Sequence, residues 1–509
     1  MSLLPEIQSF FPVTLCNIIV LFIIFTSSLL LLDFMKRRKN WPRFPPGPTS
    51  IPFLGNMMDV DFKNPHISMS QLSKKFGNVF SLQFFWKNVV VLNGFEVMKE
   101  ALINKSEDIG DRPRFPIYKK LGHTPNSQGL VLAQYGTSWK EQRRFTLSTL
   151  RNFGMGKKSL EQKITEEVGF LCSRFQDEQG QPFDPCFIIN NAVSNVICSI
   201  AFGDRFDYND EKFQRLLYLM SKTLNREFGL VAQVLNEIPF LTNIPWLINY
   251  VLKYEYDIMT FLREMVSEHR KTWDPNDIRD FIDVYLLELE KVKEKTDSSF
   301  NETNLLLTTY DLFSAGTDTT SITLRWGMFF MMLHLEVQLK VHNEIDHVIG
   351  RGRQPTMADM LEMPYTNAVI HEIQRCGDIV PLALPHMTYR DTEIQGYLIP
   401  KGTTIITNLS SVLKDEKVWK KPMEFYPEHF LDDNDKFVKK EAFMPFSAGR
   451  RACLGEQLAR MELFLFFTSL MQRFKIEIPK DHPLPRGKNG VYALMFSPYP
   501  YKMCAVARM

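Results

Sequence analysis

Phe446-Ser447-Ala448-Gly449-Arg450-Arg451-Ala452-Cys453-Leu454-Gly455 is the stretch on which the reading of this chain turns. It sets one cysteine in a loop punctuated by glycines, with Arg451 two residues upstream and an apolar helix expected from Glu456 to Phe474. Gly449 and Gly455 reach backbone conformations closed to other residues, so the loop can wrap tightly around a sulfur. Amide N–H groups aimed at the sulfur and the N-terminus of the following helix are expected to hold Cys453 as a thiolate. A thiolate in that setting is a metal ligand or a nucleophile. No nearby CxxC or CxxxH partner completes a zinc site. A lone cysteine suits haem iron, where thiolate donation favours cleavage of an O–O bond.

At every fixed position the stretch resembles the haem-binding signature F-x-x-G-x-R-x-C-x-G of the cytochrome P450 superfamily. Five fixed residues at ~1 in 20 each, over ~500 possible starts, give ~10⁻⁴ chance matches. The plain alternative is a buried structural cysteine before a helix. The resemblance extends over residues 40–509 and implies a mainly α-helical fold with small β-sheets, the cytochrome P450 fold, around haem b with Cys453 as axial ligand.

Working outward, 509 residues exceed the usual single-core size, yet there is no internal repeat, low-complexity tract or interior Gly/Ser linker. A net charge of +2 gives no basis for nucleic-acid binding. Seven cysteines, odd in number and unpaired in spacing, read as reduced thiols on the cytosolic side.

No charge occurs from Ile7 to Leu32, and Val13 to Leu32 as a helix spans about 30 Å, one hydrocarbon core. Lys36-Arg37-Arg38-Lys39 follows directly and is expected to stay cytoplasmic. A cleaved signal peptide fits poorly: no basic residue precedes the apolar run and no A-x-A site follows it. Trp41-Pro42-Arg43-Phe44-Pro45-Pro46-Gly47-Pro48 is a stiff spacer, and microsomal members of the superfamily carry a similar hinge. The expected organisation is a lumenal end and single transmembrane signal-anchor helix over 1–35, a basic, proline-rich hinge over 36–50, and a cytosolic haem-thiolate catalytic domain over 51–509. The expected location is the endoplasmic reticulum membrane. Glycans on Asn104, Asn301 or Asn408 would overturn that topology.

Residues 76–94 read as a hairpin, 95–375 as mostly helical, with short β pieces around 379–408 and after 475. Glu288 to Asp297 reads as a solvated loop. Asn304 to Gln338 reads as a long apolar helix interrupted by Ala315-Gly316-Thr317-Asp318-Thr319-Thr320. Such residues disfavour an apolar helix, and a broken rule there marks a site. The stretch looks like the superfamily's oxygen-activating motif. The resemblance implies room for oxygen at Ala315 and Gly316, and proton delivery by Asp318 and Thr319.

Asp311 shares a helix face with Ala315 and Thr319 to within ~80°. Its carboxylate either pairs with a cationic substrate or pins a neighbouring loop through backbone N–H groups. Glu372-Ile373-Gln374-Arg375 puts acid and base one turn apart and looks like the family's E-x-x-R structural pair. The third member of that network is left open, because His429 stands where the superfamily carries arginine. Trp139 and Arg143 lie one turn apart, able to reach one carboxylate. The family uses this pair for a haem propionate, and the resemblance adds Arg112, His386, Arg451 and Ser447.

Residues 447–474 and 378–430 resemble family 2, subfamily D, which oxidises lipophilic amines held by two carboxylates. Glu227 and Asp311 fall at those positions, with Leu384 also at the pocket; Glu227 reads equally as a solvated helix-end charge. His123 and Leu494 stand where that subfamily carries phenylalanines. Ile238-Pro239-Phe240-Leu241 and Ile244-Pro245-Trp246-Leu247-Ile248 either dip into the membrane or pack in the core.

No Rossmann or flavin fingerprint is present, so electrons come from outside. The resemblance implies NADPH-cytochrome P450 reductase, with cytochrome b5 as an optional second donor. Lys140, Arg144, Arg450 and Arg460 are candidates for an acid-seeking patch. The implied reaction inserts one oxygen atom of O₂ into small lipophilic molecules: xenobiotics, cationic amines, or endogenous lipids and steroids. A haem-thiolate isomerase or peroxygenase and a non-catalytic haem sensor are the competing classes. The intact Asp318-Thr319 pair counts against the first and the small residues Ala315-Gly316 against the second.

Overall fold

The computed structural model describes residues 17–32, 43–480 apart from Phe53, Phe228 and Thr296, His482, and 490–508. Residues 17–32 are helical and expose Ile18, Val20, Phe22, Phe25 and Leu32. Among the described residues no helix is long and apolar enough to cross a membrane. Val13–Cys16 of the expected anchor, the basic cluster 36–39 and Trp41-Pro42 of the hinge lie outside the described residues.

The β-branched run Val89-Val90-Val91 lies in a hairpin of β1 (Val79–Phe84) and β2 (Lys87–Leu92), buried on both faces from Val89 onward. The helices that follow and frame the site are α1 (Thr137–Asn152), α2 (Lys158–Asp177), α3 (Cys186–Ala201), α4 (Glu211–Glu227), α5 (Pro245–Thr272), α6 (Phe281–Lys291), α7 (Glu302–Leu333), α8 (Leu335–Val348) and α9 (Pro364–Gly377). Strands β3 (His386–Met387) and β4 (Thr404–Thr407) then extend the hairpin. The sheet order is β1-β2-β4-β3, with β2 and β4 parallel and the other pairs antiparallel. Helix α10 (Glu456–Arg473) follows the cysteine loop. It is apolar nearly all round, as a helix enclosed on every side must be. The architecture is mainly helical with small sheets, as expected.

Two boundaries differ from the sequence reading. Residues 288–291 complete α6, so the loop before α7 is shorter than the charge run suggested. The long helix stops at Leu333 and a separate one starts at Leu335. Its start is set by Asn301, whose side chain accepts from Asn304 N at 2.9 Å. The Ala315–Thr320 stretch does not interrupt α7. Thr319 Oγ1 donates to the Ala315 carbonyl at 2.7 Å and Thr323 Oγ1 to the Thr319 carbonyl at 2.8 Å, so these hydroxyls are satisfied within the helix. From Thr320 to Met332 α7 is buried on every side, packed by α3, α9 and α10.

Behind the cysteine loop, Arg375 grips Glu372 through two bonds of 2.8 and 2.7 Å, both side chains fully buried. Its remaining N–H groups reach the carbonyls of Leu413, Pro422 and Glu424. His429 completes the network. Its Nε2 accepts from Lys421 N at 3.0 Å, which leaves Nδ1–H to donate to Glu372 at 3.2 Å. Burial alone would raise the Glu372 carboxyl, but the bonds from Arg375 and His429 outweigh it and the group lies below its ordinary value.

Glu372→Ala leaves a buried guanidinium without its counter-charge, and a stability loss of about 3–5 kcal/mol is expected from chemical denaturation. An unchanged midpoint would mean that the carbonyl partners of Arg375 suffice by themselves.

Candidate functional site

Between α3, α7, α10 and the sheet lies a cavity of about 410 Å³. It reaches Cys453 at one end and Glu227 at the other, and Arg112, His386 and Arg451 line its side. A second hollow of about 490 Å³, lined by Lys120, Arg263 and Glu302, shares Leu121, Met259 and Leu307 with it but reaches neither Cys453 nor the arginines.

The cysteine loop turns at Gly449, whose φ is +73°; a Cβ there would collide with the carbonyl oxygen of Leu102. Ser447 also sits at a positive φ, 59°, a costly conformation for a residue with a Cβ. Cys453 N donates to the Phe446 carbonyl at 2.9 Å, which closes the loop. The sulfur lies deep in the body yet faces open cavity. Burial pushes its thiol above the ordinary value, and the Gly455 N–H and the Arg143 charge offset this only in part. The expectation that loop and helix terminus alone hold a thiolate is therefore corrected: desolvation wins, and the anion needs a cation at the sulfur.

Beside the loop, three guanidinium groups converge. Arg112 donates to the carbonyls of Val131, Leu384 and Pro385 at 2.8–3.2 Å. Arg451 donates to those of Gly110, at 2.7 Å, and Ala133, at 2.6 Å, and lies 3.9 Å over the Trp139 ring. Arg143 donates to the Ala452 carbonyl at 2.7 Å. An isolated bridge between Asp111 and Met387 ties the Arg112 segment to β3, which carries His386. His386 Nδ1 lies 3.0 Å from the Ile109 carbonyl, so that nitrogen carries the proton. Burial and then the Arg112 charge push Arg451 down to about 8, only partly countered by Asp111. Burial and Arg143 push Arg112 down to about 10. Asp111 spends Oδ1 on the N–H groups of Arg112 and Tyr135. The cluster is thus rich in buried positive charge, and next to it the Ser447 hydroxyl is buried without a partner. These groups fit a ligand that brings carboxylates.

Across the cavity stand Ala315, Gly316 and Thr319 of α7. The space left by the absent Gly316 side chain is taken by Ile197 of α3, so this glycine serves helix packing as well as the cavity. Asp318 does not line the cavity. It is half-buried near Arg325, and desolvation raises its carboxyl to about 6.

At the far end Asp311 Oδ2 accepts from Leu130 N at 2.6 Å and Val131 N at 3.0 Å. Gly129, at φ +67°, lets that loop approach: a Cβ would strike Asp311 Oδ2. Asp311 thus pins a loop while lining the cavity, and burial holds its carboxyl near 6 against the two N–H bonds. Glu227 is buried rather than solvated. His123 stacks on Tyr118 with ring centroids 5.3 Å apart, and burial lowers it to about 4, so it is neutral. Leu384 and Leu494 complete the wall.

Sequence reasoning missed two buried acids. Glu255 is fully buried beside Glu227. Glu462 lines the cavity, bonds Thr320 and is raised to about 8 by burial. Glu462 had a signal, a lone acid inside the apolar run of α10; Glu255 had none among its charged neighbours.

Residues 45–505 match the family model described as Cytochrome P450. The chain is 56% identical over 482 residues to Cytochrome P450 2D15 of Canis lupus familiaris, covering 94% of this chain and 96% of that protein. Against Cytochrome P450 2D6 of Homo sapiens it is 55% identical over 493 residues, 96% and 99% of the two chains. Against Cytochrome P450 2D3 of Rattus norvegicus it is 53% identical over 482 residues, 94% and 96%.

Asp311→Ala would leave two buried N–H groups without an acceptor, at about 1–3 kcal/mol each, whereas Asp311→Asn keeps an acceptor oxygen. Thermal unfolding is expected to rank the asparagine variant above the alanine one; equal midpoints would show that the loop contact carries no energy.

Proposed function

This chain belongs to the cytochrome P450 family and is a haem-thiolate monooxygenase, and from that premise we propose how its own residues divide the work. Cys453 supplies the axial sulfur. Arg112, Trp139, Arg143, His386, Ser447 and Arg451 hold the propionate edge of haem b, and Glu372 with Arg375 braces the loop behind. The observation that carries this reading is the buried guanidinium cluster opening on the same cavity as the Cys453 sulfur.

Haem, once bound, supplies the redox iron at which O₂ is reduced, one oxygen atom passing to the substrate and the other to water. The protein's share is binding, orientation and protons. Two carboxylates beside Arg112 and Arg451 return these side chains toward their ordinary, fully charged state. Cys453 gives up its proton as the metal arrives. Thr319, at the cavity wall, offers a hydroxyl already oriented by the Ala315 carbonyl. Asp318, the half-buried residue before it with a carboxyl near 6, holds a proton that can be exchanged close to neutral pH.

The substrate is a small lipophilic molecule, a reading supported by the apolar wall of Leu121, Leu130, Ile197 and Leu494. Glu227 and Asp311 at the far end favour a cationic amine. Electrons come from NADPH-cytochrome P450 reductase, with cytochrome b5 as a second donor. Exposed Lys140, Arg144 and Arg450 form the docking patch; Arg460 is already engaged by Glu456 and His371. The anchor is residues 1–35 in the endoplasmic reticulum membrane, the hinge 36–50, and the body 51–509 faces the cytosol. Phe240 and Trp246, each 70% exposed, support a second contact with the lipid surface.

Cys453→Ser is expected to abolish the red-shifted Soret band of the ferrous carbonyl adduct and turnover with NADPH, reductase and O₂. Retention of both would sink the ligand assignment. Glu227→Gln is expected to raise KM for a cationic amine about tenfold or more, some 1.4 kcal/mol, with a neutral isostere unaffected. Equal losses for both substrates would refute an ion-pair role.

A further inference from the structure

We propose that Glu227 and Glu255 form a carboxyl pair sharing one proton at the acidic end of the cavity, and that a protonated amine binds there by expelling that proton to solvent. The inference rests on the reading of this end as an amine site, and adds Glu255 and a proton to it.

Helices α4 and α5 pack against each other and bring the two acids within hydrogen-bonding reach. Glu255 is 0% exposed, and beyond its own amide neither carboxylate oxygen receives a bond from a protein donor. Glu227, 9% exposed, lines the cavity. Two carboxylates are both acceptors, so a contact between them exists only with a proton in it. An unpartnered buried charge costs several kcal/mol by order of magnitude, so an acid held at Glu255 with no cationic partner calls for one.

The surroundings favour retention of that proton. From the Pro116–Leu121 turn Tyr118 reaches Glu227, and from α7 Tyr310 and Asp311 face the pair. On α5 the neighbour Tyr256 is neutral. On α4 Arg226 draws the Glu255 carboxyl down, but its guanidinium is bonded to the Tyr250 carbonyl and lies over the rings of Tyr250 and Tyr254. In the short helix Leu230–Glu237 between them, Glu237 is paired with Lys87 at 2.8 Å and takes no part. Burial, then mutual repulsion and Asp311, hold Glu227 well above its ordinary value, and burial holds Glu255 near 7.

An ammonium group entering the cavity reverses this. The amine keeps its proton, the O–H bond of the pair breaks, the proton leaves to solvent, and two carboxylates face one cation. For an acid raised in the free protein and lowered in the complex, binding tightens as pH rises between the two values and is flat outside them. Below neutrality the pair keeps its proton, and this end of the cavity carries less negative charge than it does in the amine complex.

The test uses the full-length holoenzyme, a lipophilic secondary amine that stays protonated to pH 9, and its isosteric alcohol. Calorimetry in buffers of low and high ionisation enthalpy counts protons released. Wild-type protein is expected to release about half a proton per amine at pH 7, with affinity rising about tenfold from pH 6 to pH 8. The alcohol is expected to release none. Glu255→Gln, which removes a buried acid and keeps its volume, is expected to diminish the release and make the pH profile shallower while amine remains preferred over alcohol. Amine preference without proton release in the wild type overturns the pair alone, as does undiminished release in Glu255→Gln. An amine that binds no better than its alcohol overturns the amine reading and the pair with it.

Discussion

The structure around the cavity answers to the burial of Arg112 and Arg451, with half-buried Arg143 beside them on one wall. Guanidinium groups resist removal from water, and here backbone carbonyls rather than acids satisfy most of their N–H groups. Carbonyl dipoles hold the side chains in place without cancelling their charge. The resulting field is positive and rigid, and it sits next to the sulfur of Cys453. A group with two carboxylates and a metal completes both halves at once, which ties cofactor binding to the folding of the surrounding loops.

Opposite that wall, α7 combines two demands that conflict in isolation. It must run unbroken through the core, and it must offer small and hydroxylic residues to the cavity. The threonines resolve the conflict by bonding back to carbonyls of their own helix, and Ile197 occupies the space left by Gly316. Two carboxyls on α7 and α10, half-buried Asp318 and buried Glu462, are raised by desolvation into the neutral range.

The acidic end works by the opposite logic. There Asp311 spends one oxygen on the Leu130–Val131 loop, so shape and charge are set by the same side chain. Glu227 has Tyr118 beside it and Glu255 has no comparable donor, and in the proposed pair a proton takes the place of a counter-charge. One cavity thus has guanidinium groups near Cys453 and desolvated acids far from it.

Sequence alone determined the mainly helical class, the cysteine loop, the α7 motif and the Glu372–Arg375 pair, because each depends on residues within a turn or two of one another. Periodicity and local chemistry carry such information. The tertiary structure decided what distance along the chain conceals. His429 completes the Glu372 network from 57 residues away, Asp318 lies outside the cavity lining, near Arg325, and Glu255 meets Glu227 across two packed helices. Above all it decided protonation: the Cys453 thiol and the buried acids take their state from desolvation, and burial is a property of the assembled core that no short stretch of sequence contains.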